Sequence, residues 1–500
     1  MRTYENPIIP GFFPDPSIFR DGEDYYLVNS SFEFFPGVPL WHSRDLVNWE
    51  QLGHILTRES QLPLQGCRVS GGIYAPTLRR HDGIWYMITT NTHRGGNFLV
   101  QARDIRGPWS DPVWIAHDGI DPSLFWDEDG RAYYTGTRID ETGRQGIGQF
   151  EIDVNTGEKL SDTRTIWYGT GGRCPEGPHM YKINGWYYLL IAEGGTEYGH
   201  MVTVARSRHI WGPFESCPRN PILTHRDDIC SEFQALGHSD LVTDPEGNWW
   251  IVFHAIRPTN AQLHHIGRET MLAPVEWDEE GWPVVNSGKS VTAAMTGPGE
   301  GAGSVPKCWK DSFLADTFAP RWSWLRNPDM GNYTLSDRGL MLRGSETTLD
   351  DLDTSTFLGV RQQQFDQRYE TRMQLTGACG CAGITVFHTA EHHYDLCVTR
   401  RETGCAVRLR KRVADMQTES VPVVFADTDK LILRIDADRN QYTFLAGSRE
   451  DSLVRIGTGR TQLLSTEAMP CTFTGCLAGL FAEGEAEAVF RYFSASAPDA

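Results

Sequence analysis

Long apolar stretches are missing from this chain: nowhere do about 18 apolar residues follow one another, the length a helix needs to cross a bilayer. The opening residues, MRTYENPIIPGFF, also lack an apolar run that ends in a small-residue cleavage site. The expectation is a soluble chain, neither exported nor bound to a membrane. Basic charge is scarce. Lys and Arg total 46 against 65 Asp and Glu, for a formal net charge of −19, and without a compensating basic stripe such a molecule is repelled by nucleic acid and by anionic membranes. The short cluster RLRKR, Arg408 to Arg412, reads as a solvated strand face or turn. Cysteine pairing is missing as well. The 11 cysteines are an odd number, and Cys379-Gly-Cys381 has no second pair at zinc-ligand spacing, so reduced thiols and a cytoplasmic location are expected. Nothing specifies an oligomeric state.

What is present is β-type alternation and repetition. At 500 residues, 40% hydrophobic and 22% charged, the chain exceeds what one core usually serves, and two or three globular domains are expected. DPSIFRDGEDYYLVNSS at Asp15 is echoed by APTLRRHDGIWYMITTN at Ala75, DPSLFWDEDGRAYYTGT at Asp121, GPHMYKINGWYYLLIAEG at Gly177 and HSDLVTDPEGNWWIVFHA at His238. Each copy has a short strand, a turn rich in Asp, Gly or Asn, and a second strand led by paired aromatics. Repeats spaced roughly 50 residues apart without helical periodicity are the signature of a propeller, one four-stranded blade per repeat. Five copies imply five blades.

In a propeller the innermost strands run side by side around a channel, so equivalent positions at their starts converge on one funnel. Asp15 and Asp121 open copies one and three, and Glu176 stands one residue before copy four. Aspartate before proline also opens ordinary turns. Ala75 and His238, however, show that the blade can be built without an acid at this point. Aromatics near the repeat starts, Phe12, Phe13, Phe34, Phe35, Trp41 and Tyr74, suit both core packing and the apolar faces of a sugar ring. Two carboxyl groups flanking a glycosidic bond suffice for its hydrolysis, one as proton donor and the other as base or nucleophile. A third negative charge near the donor raises its pKa. This division of labour requires no cofactor and no metal.

The runs NPIIPGFFPDPSIFR, SSFEFFPGVPLWHSRDLVNWEQLGHIL, GIYAPTLRRHDGIWYMITTN, IDPSLFWDEDG, PEGPHMYKINGWYYLLIAEGGTEYGH and GRETMLAPVEWDEEGWPVVN resemble glycoside hydrolase family 43, in its β-xylosidase and α-L-arabinofuranosidase members. The resemblance spans nearly all of residues 5 to 286. It implies a five-bladed propeller and single-displacement hydrolysis with inversion, with Asp15 as general base, Glu176 as general acid and Asp121 as the residue that tunes and orients the acid. It further implies that Arg268 binds sugar hydroxyls near the carboxylates, and that Phe32 and Tyr74 wall the terminal-sugar subsite; His238, at the fifth repeat start, is expected to line the channel. Some members hold a cation on the channel axis through a histidine, for which His254 is the candidate ligand here; His254 reads first as a satisfied core histidine, and no required metal is expected. NDPNG and RDP signatures of fructoside-cleaving propellers are absent.

VTAAMTGPGEGAGSVP, Val291 to Pro306, reads as a linker. Beyond it, alternating segments such as GLMLRG, AGITVFH and KLILRIDA predict an antiparallel β-sandwich. The expected division is therefore an all-β chain with a propeller over 1–290, a linker over 291–306 and a sandwich over 307–500. By resemblance, the sandwich lends a lid to the pocket, with Phe473 as the candidate. The expected activity is exo-acting release of terminal β-D-xylose or α-L-arabinofuranose from plant-derived oligosaccharides. A main arabinofuranosidase activity is one alternative, and a non-catalytic sugar-binding propeller is another.

Overall fold

The structure is a computed structural model that describes residues 2–259, 262–299, 307–426, 429–469 and 471–498. Five four-stranded antiparallel sheets form the first domain. Blade one runs Ser17–Asp21, Asp24–Val28, Gly37–Ser43 and Glu50–Leu56. The inner strands of the other blades are Thr77–His81, Ser123–Trp126, Glu176–Ile183 and Gln234–Thr243. Each inner strand touches the next, and the fifth touches the first, which closes the ring. The paired aromatics lead each second strand, and their rings fill the spaces between blades: Tyr26 packs edge-on to Trp85, and Tyr188 to Trp277.

The expected linker differs from the structure in its first part. Ala294–Gly297 pairs with Arg2–Glu5 as a two-stranded sheet, with Val291 and Met295 buried. Tyr4 and Asn6 both donate to the Leu272 carbonyl, at 2.7 and 2.9 Å, so this ribbon staples the amino-terminal segment to blade five. The absence of a long apolar pattern hid a strand that needs few buried residues. Residues 300–306 lie outside the described residues.

Among the described residues, the second domain has one sheet of eight strands and one of seven, packed face to face. Gln367–Leu375 alternates strictly between buried and half-buried positions, the period-two pattern of a strand with one face in a core. RLRKR departs from its expected solvated reading. It lies in the strand Cys405–Val413, where Arg410 turns inward onto Asp395 at 2.8 Å and Glu483 at 2.7 Å. The domains join through backbone pairing of Trp324–Leu325 with Phe34–Phe35. Next to that joint, the Arg326 amide donates to the Glu33 carbonyl and its guanidinium to the Cys67 carbonyl, each at 2.8 Å.

Candidate active site

Four of the five repeat starts share a backbone conformation. Asp15, Asp121 and His238 have φ of 53°, 56° and 48°, and Gly177, beside Glu176, has 57°. The apolar start, Ala75, is not among the positive-φ residues. Left-handed residues other than glycine cost of order 1–3 kcal/mol each and cluster at functional sites. Here the turn re-aims the chain at the mouth of each inner strand. The registers also slip between Glu176 and His179 and between Gly237 and Asp240, bulges that aim side chains beside active sites.

Asp15 is buried, yet its carboxylate is fully engaged. Arg268 donates to Oδ1 and Ser30 Oγ to Oδ2, both at 2.6 Å. His254 Nδ1 lies 3.0 Å and His238 Nδ1 3.8 Å from Oδ1. Burial would raise this carboxyl, but Arg268, His238 and His254 outweigh it and hold Asp15 well below the usual carboxylate range. Glu176 goes the other way: burial, then the charge of Asp15, lifts it to about 7, against the pull of Arg268 and Arg173. Asp121 is raised as well, by burial, Glu176 and Asp15. It accepts the Gly177 amide at 3.2 Å, which ties it to the backbone beside Glu176. Two carboxyls of one cluster are thus driven to opposite protonation states, and Asp121 and Glu176 form a pair that retains a proton toward neutral pH.

The wall residues come from both domains. Phe32 and Tyr74 have ring centroids 5.2 Å apart, and Phe473 from the sandwich lies 6.1 Å from Phe32 and 6.2 Å from Tyr74. The Phe473 amide donates to Ser70 Oγ at 2.9 Å, and its carbonyl accepts from Arg268 at 3.3 Å. The structure therefore brings Asp15, Asp121, Glu176, Arg268, His238, His254, Phe32, Tyr74 and Phe473 into one contiguous group. Phe12 and Phe34 stand behind Phe32 in a fully buried cluster, whereas Phe13 and Trp41 belong to the propeller core.

His254 has a protein partner at each ring nitrogen: Asp15 at Nδ1, and His200 at Nε2 at 3.1 Å. Burial, then Arg268, pulls it down to about 3, so it is neutral. Among the described residues, no group of three or more His, Cys, Asp or Glu is arranged to hold a metal ion.

Sequence reasoning missed Ser30, His200 and a buried network deeper in the channel. There Arg79 donates to Asp240 at 2.9 Å and contacts His179 Nδ1 at 2.9 Å, while the Tyr181 and Ser17 hydroxyls each donate to Asp240, at 2.5 and 2.8 Å. A signal was available. The third position of every repeat is polar, namely Ser17, Thr77, Ser123, His179 and Asp240, as expected for side chains facing a polar axis.

Residues 4–283 match the family described as Glycosyl hydrolases family 43, and residues 310–496 match the Beta xylosidase C-terminal Concanavalin A-like domain. A non-reducing end alpha-L-arabinofuranosidase of Bacteroides ovatus is 39% identical over 98% of this chain and 93% of its own length. A xylosidase/arabinosidase of Butyrivibrio fibrisolvens is 38% identical over 98% of each chain. Among solved structures, a xylan beta-1,4-xylosidase of Bacillus halodurans superposes with a TM-score of 0.91 at 33% identity, covering 99% of this chain and all of the other.

Proposed function

Because the chain belongs to glycosyl hydrolases family 43, we propose that it is an inverting exo-glycosidase that releases terminal β-D-xylose, α-L-arabinofuranose or both from short oligosaccharides. The observation that carries this reading is the opposite protonation of Asp15 and Glu176 within one cluster. Inverting hydrolysis needs one ionised and one protonated carboxyl in the ground state. Asp15 takes a proton from the attacking water as that oxygen bonds to the anomeric carbon. Glu176 gives its proton to the departing glycosidic oxygen as the bond breaks. Asp121, whose own carboxyl is raised alongside that of Glu176, shares a proton with it and anchors its neighbour Gly177. Arg268, which bridges Asp15 and the Phe473 carbonyl, binds sugar hydroxyls and ties base position to lid position. No metal is assigned a step, and the engagement of both His254 nitrogens supports a structural role for that residue.

The lid supports exo action, since a pocket roofed by Phe473 accepts a chain end and not a chain interior. The two matched regions support a catalytic domain over 1–290 and an accessory domain over 307–500. Eleven free cysteines support a reducing, cytoplasmic setting, in which oligosaccharides and not polymer are the substrate.

A panel of aryl pentosides and pentose oligosaccharides with product identification tests the reading. Exclusive release of arabinose removes the xylosidase activity, exclusive release of xylose removes the arabinofuranosidase activity, and no turnover on either leaves a sugar-binding propeller. Proton NMR in the first minutes of turnover tests inversion: the fresh sugar should carry the anomeric configuration opposite to the substrate. Retention would make Asp15 a nucleophile instead of a base.

A further inference from the structure

Hydrolysis divides the substrate in two, and the pocket described above holds only the sugar whose anomeric carbon reacts. Its walls, Phe32, Tyr74 and Phe473, come from the first two blades and the sandwich. The roof loop is tied down on blade five, where His264 Nδ1 lies 2.6 Å from Glu467 Oε1 and the Cys476 amide donates to the His265 carbonyl at 2.8 Å. Blade four carries Glu176. With that residue as the proposed proton donor, the departing sugar lies toward the rim of blade four, because the acid must meet the glycosidic oxygen.

Two charged side chains stand at that rim. Arg173 is three residues ahead of Glu176, and Glu197 lies in the turn that follows the second strand of the blade, Trp186–Glu193. Glu176 and Ala192 are register partners, and the backbone continues that pairing outward: the Gly194 amide donates to the Arg173 carbonyl at 2.7 Å, and Arg173 Nε donates to the Gly194 carbonyl at 3.2 Å. Arg173 Nη2 pairs with Glu197 Oε2. Gly195 permits this placement, since its φ is 71° and a Cβ there would strike the guanidinium. An exposed ion pair adds little to stability, and these side chains are 58% and 67% exposed. Arg173 Nη1 and Glu197 Oε1 have no partner among the described residues, which leaves an open donor beside an open acceptor. After burial, Asp15 and Arg268, the charges that act on Glu176 are those of Arg173, which lowers it, and Glu197, which raises it.

We propose that Arg173 and Glu197 form the subsite for the sugar on the leaving side of the scissile bond, with Arg173 Nη1 donating to one hydroxyl and Glu197 Oε1 accepting from its neighbour. Vicinal hydroxyls of a sugar ring supply an acceptor and a donor side by side. An aryl group supplies neither. The proposal rests on the glycosidase reading with Glu176 as acid, and it makes these two residues determinants of which leaving groups are accepted, not of which terminal sugar is released.

Calorimetry on Glu176→Gln separates binding from chemistry. Xylobiose and arabinobiose are titrated beside xylose and arabinose, and the disaccharide of the released pentose should bind more tightly than its monosaccharide. Adding Arg173→Met should remove about tenfold of disaccharide affinity, and adding Glu197→Gln should remove several-fold, while monosaccharide affinity holds within about twofold. Both side chains are more than half exposed, so the fold tolerates either change. With Glu176 intact, the other groups that face it are Asp15, Asp121, Arg268 and His238. Against that constant background, Arg173→Met should move the alkaline limb of the pH–rate profile up and Glu197→Gln should move it down, and added salt should shrink both shifts. A disaccharide that binds no better than its monosaccharide, a disaccharide advantage that survives both substitutions, or a limb that neither variant moves at low salt overturns the proposal alone. Failure of all four sugars to bind overturns the glycosidase reading and the proposal with it.

Discussion

At the scale of the residue, the pocket separates two carboxyls by their neighbours. With Glu176 as the proposed proton donor, Glu176→Gln should lower hydrolysis of natural oligosaccharides by about 10² to 10⁴. Aryl glycosides with good leaving groups should be largely spared, and steady-state rates on both substrates check this. Because Glu176 sits near pH 7, activity should decline on the alkaline side as it ionises. Asp121→Asn deletes the carboxyl that shares a proton with Glu176, so the repulsion that opposes ionising both members of the pair is lost and the alkaline limb should move to lower pH. A pH–rate profile decides the matter. An unchanged limb with a large rate loss would reduce Asp121 to its hydrogen bond with Gly177.

At the scale of the element, the turn into each inner strand is the working part. Gly177 combines a φ of 57° with a position where a Cβ would lie 2.9 Å from His238 Cε1. Gly177→Ala therefore meets both backbone strain, roughly 1–2 kcal/mol, and a buried ring. The expected outcome is a folded protein, by circular dichroism, whose kcat drops because Glu176 and His238 are both displaced. The loop that carries Phe473 is equally constrained, since a side chain at Gly475 would strike the Ile266 carbonyl. Phe473→Ala leaves that backbone intact and opens the roof. Its KM for short oligosaccharides should rise several-fold with a smaller change in kcat, the pattern of lost ground-state binding.

At the scale of the whole molecule, the domain joint contains a titrating group. Glu33 is 2% exposed, accepts the Ser70 amide at 3.1 Å, and is raised to about 7, by burial against the pull of Arg326. A carboxyl raised in the folded state contributes stability that is fully present below its unfolded value near 4.5 and lost as pH rises through about 7. The loss amounts to about 3 kcal/mol. The melting temperature should therefore fall across that window, and Glu33→Gln should flatten the fall and raise Tm at pH 8 by several degrees. Thermal melts from pH 4.5 to 8.5 check the sign. Ser70, held by Glu33, is also the acceptor for the Phe473 amide, so the same joint sets the lid.

The sequence by itself determined the five blades, because every copy repeats one strand-turn-strand pattern with paired aromatics, and local chemistry of that kind needs no distant partner to be recognised. It also selected Asp15, Asp121 and Glu176, because ring symmetry converts equal places in a repeat into one place in space. Arg268, Phe32, Tyr74 and Phe473 were legible through resemblance and not through spacing. Only the tertiary structure decided the surroundings of each acid. The two working carboxyls differ because Arg268 and the histidines reach Asp15 across the channel while Glu176 faces burial and the Asp15 charge, and pKa depends on distances that no linear pattern encodes. The strand Ala294–Gly297 and the inward Arg410 were hidden for the same reason: partners 70 or more residues away in sequence fix whether a short polar segment is linker, surface or core.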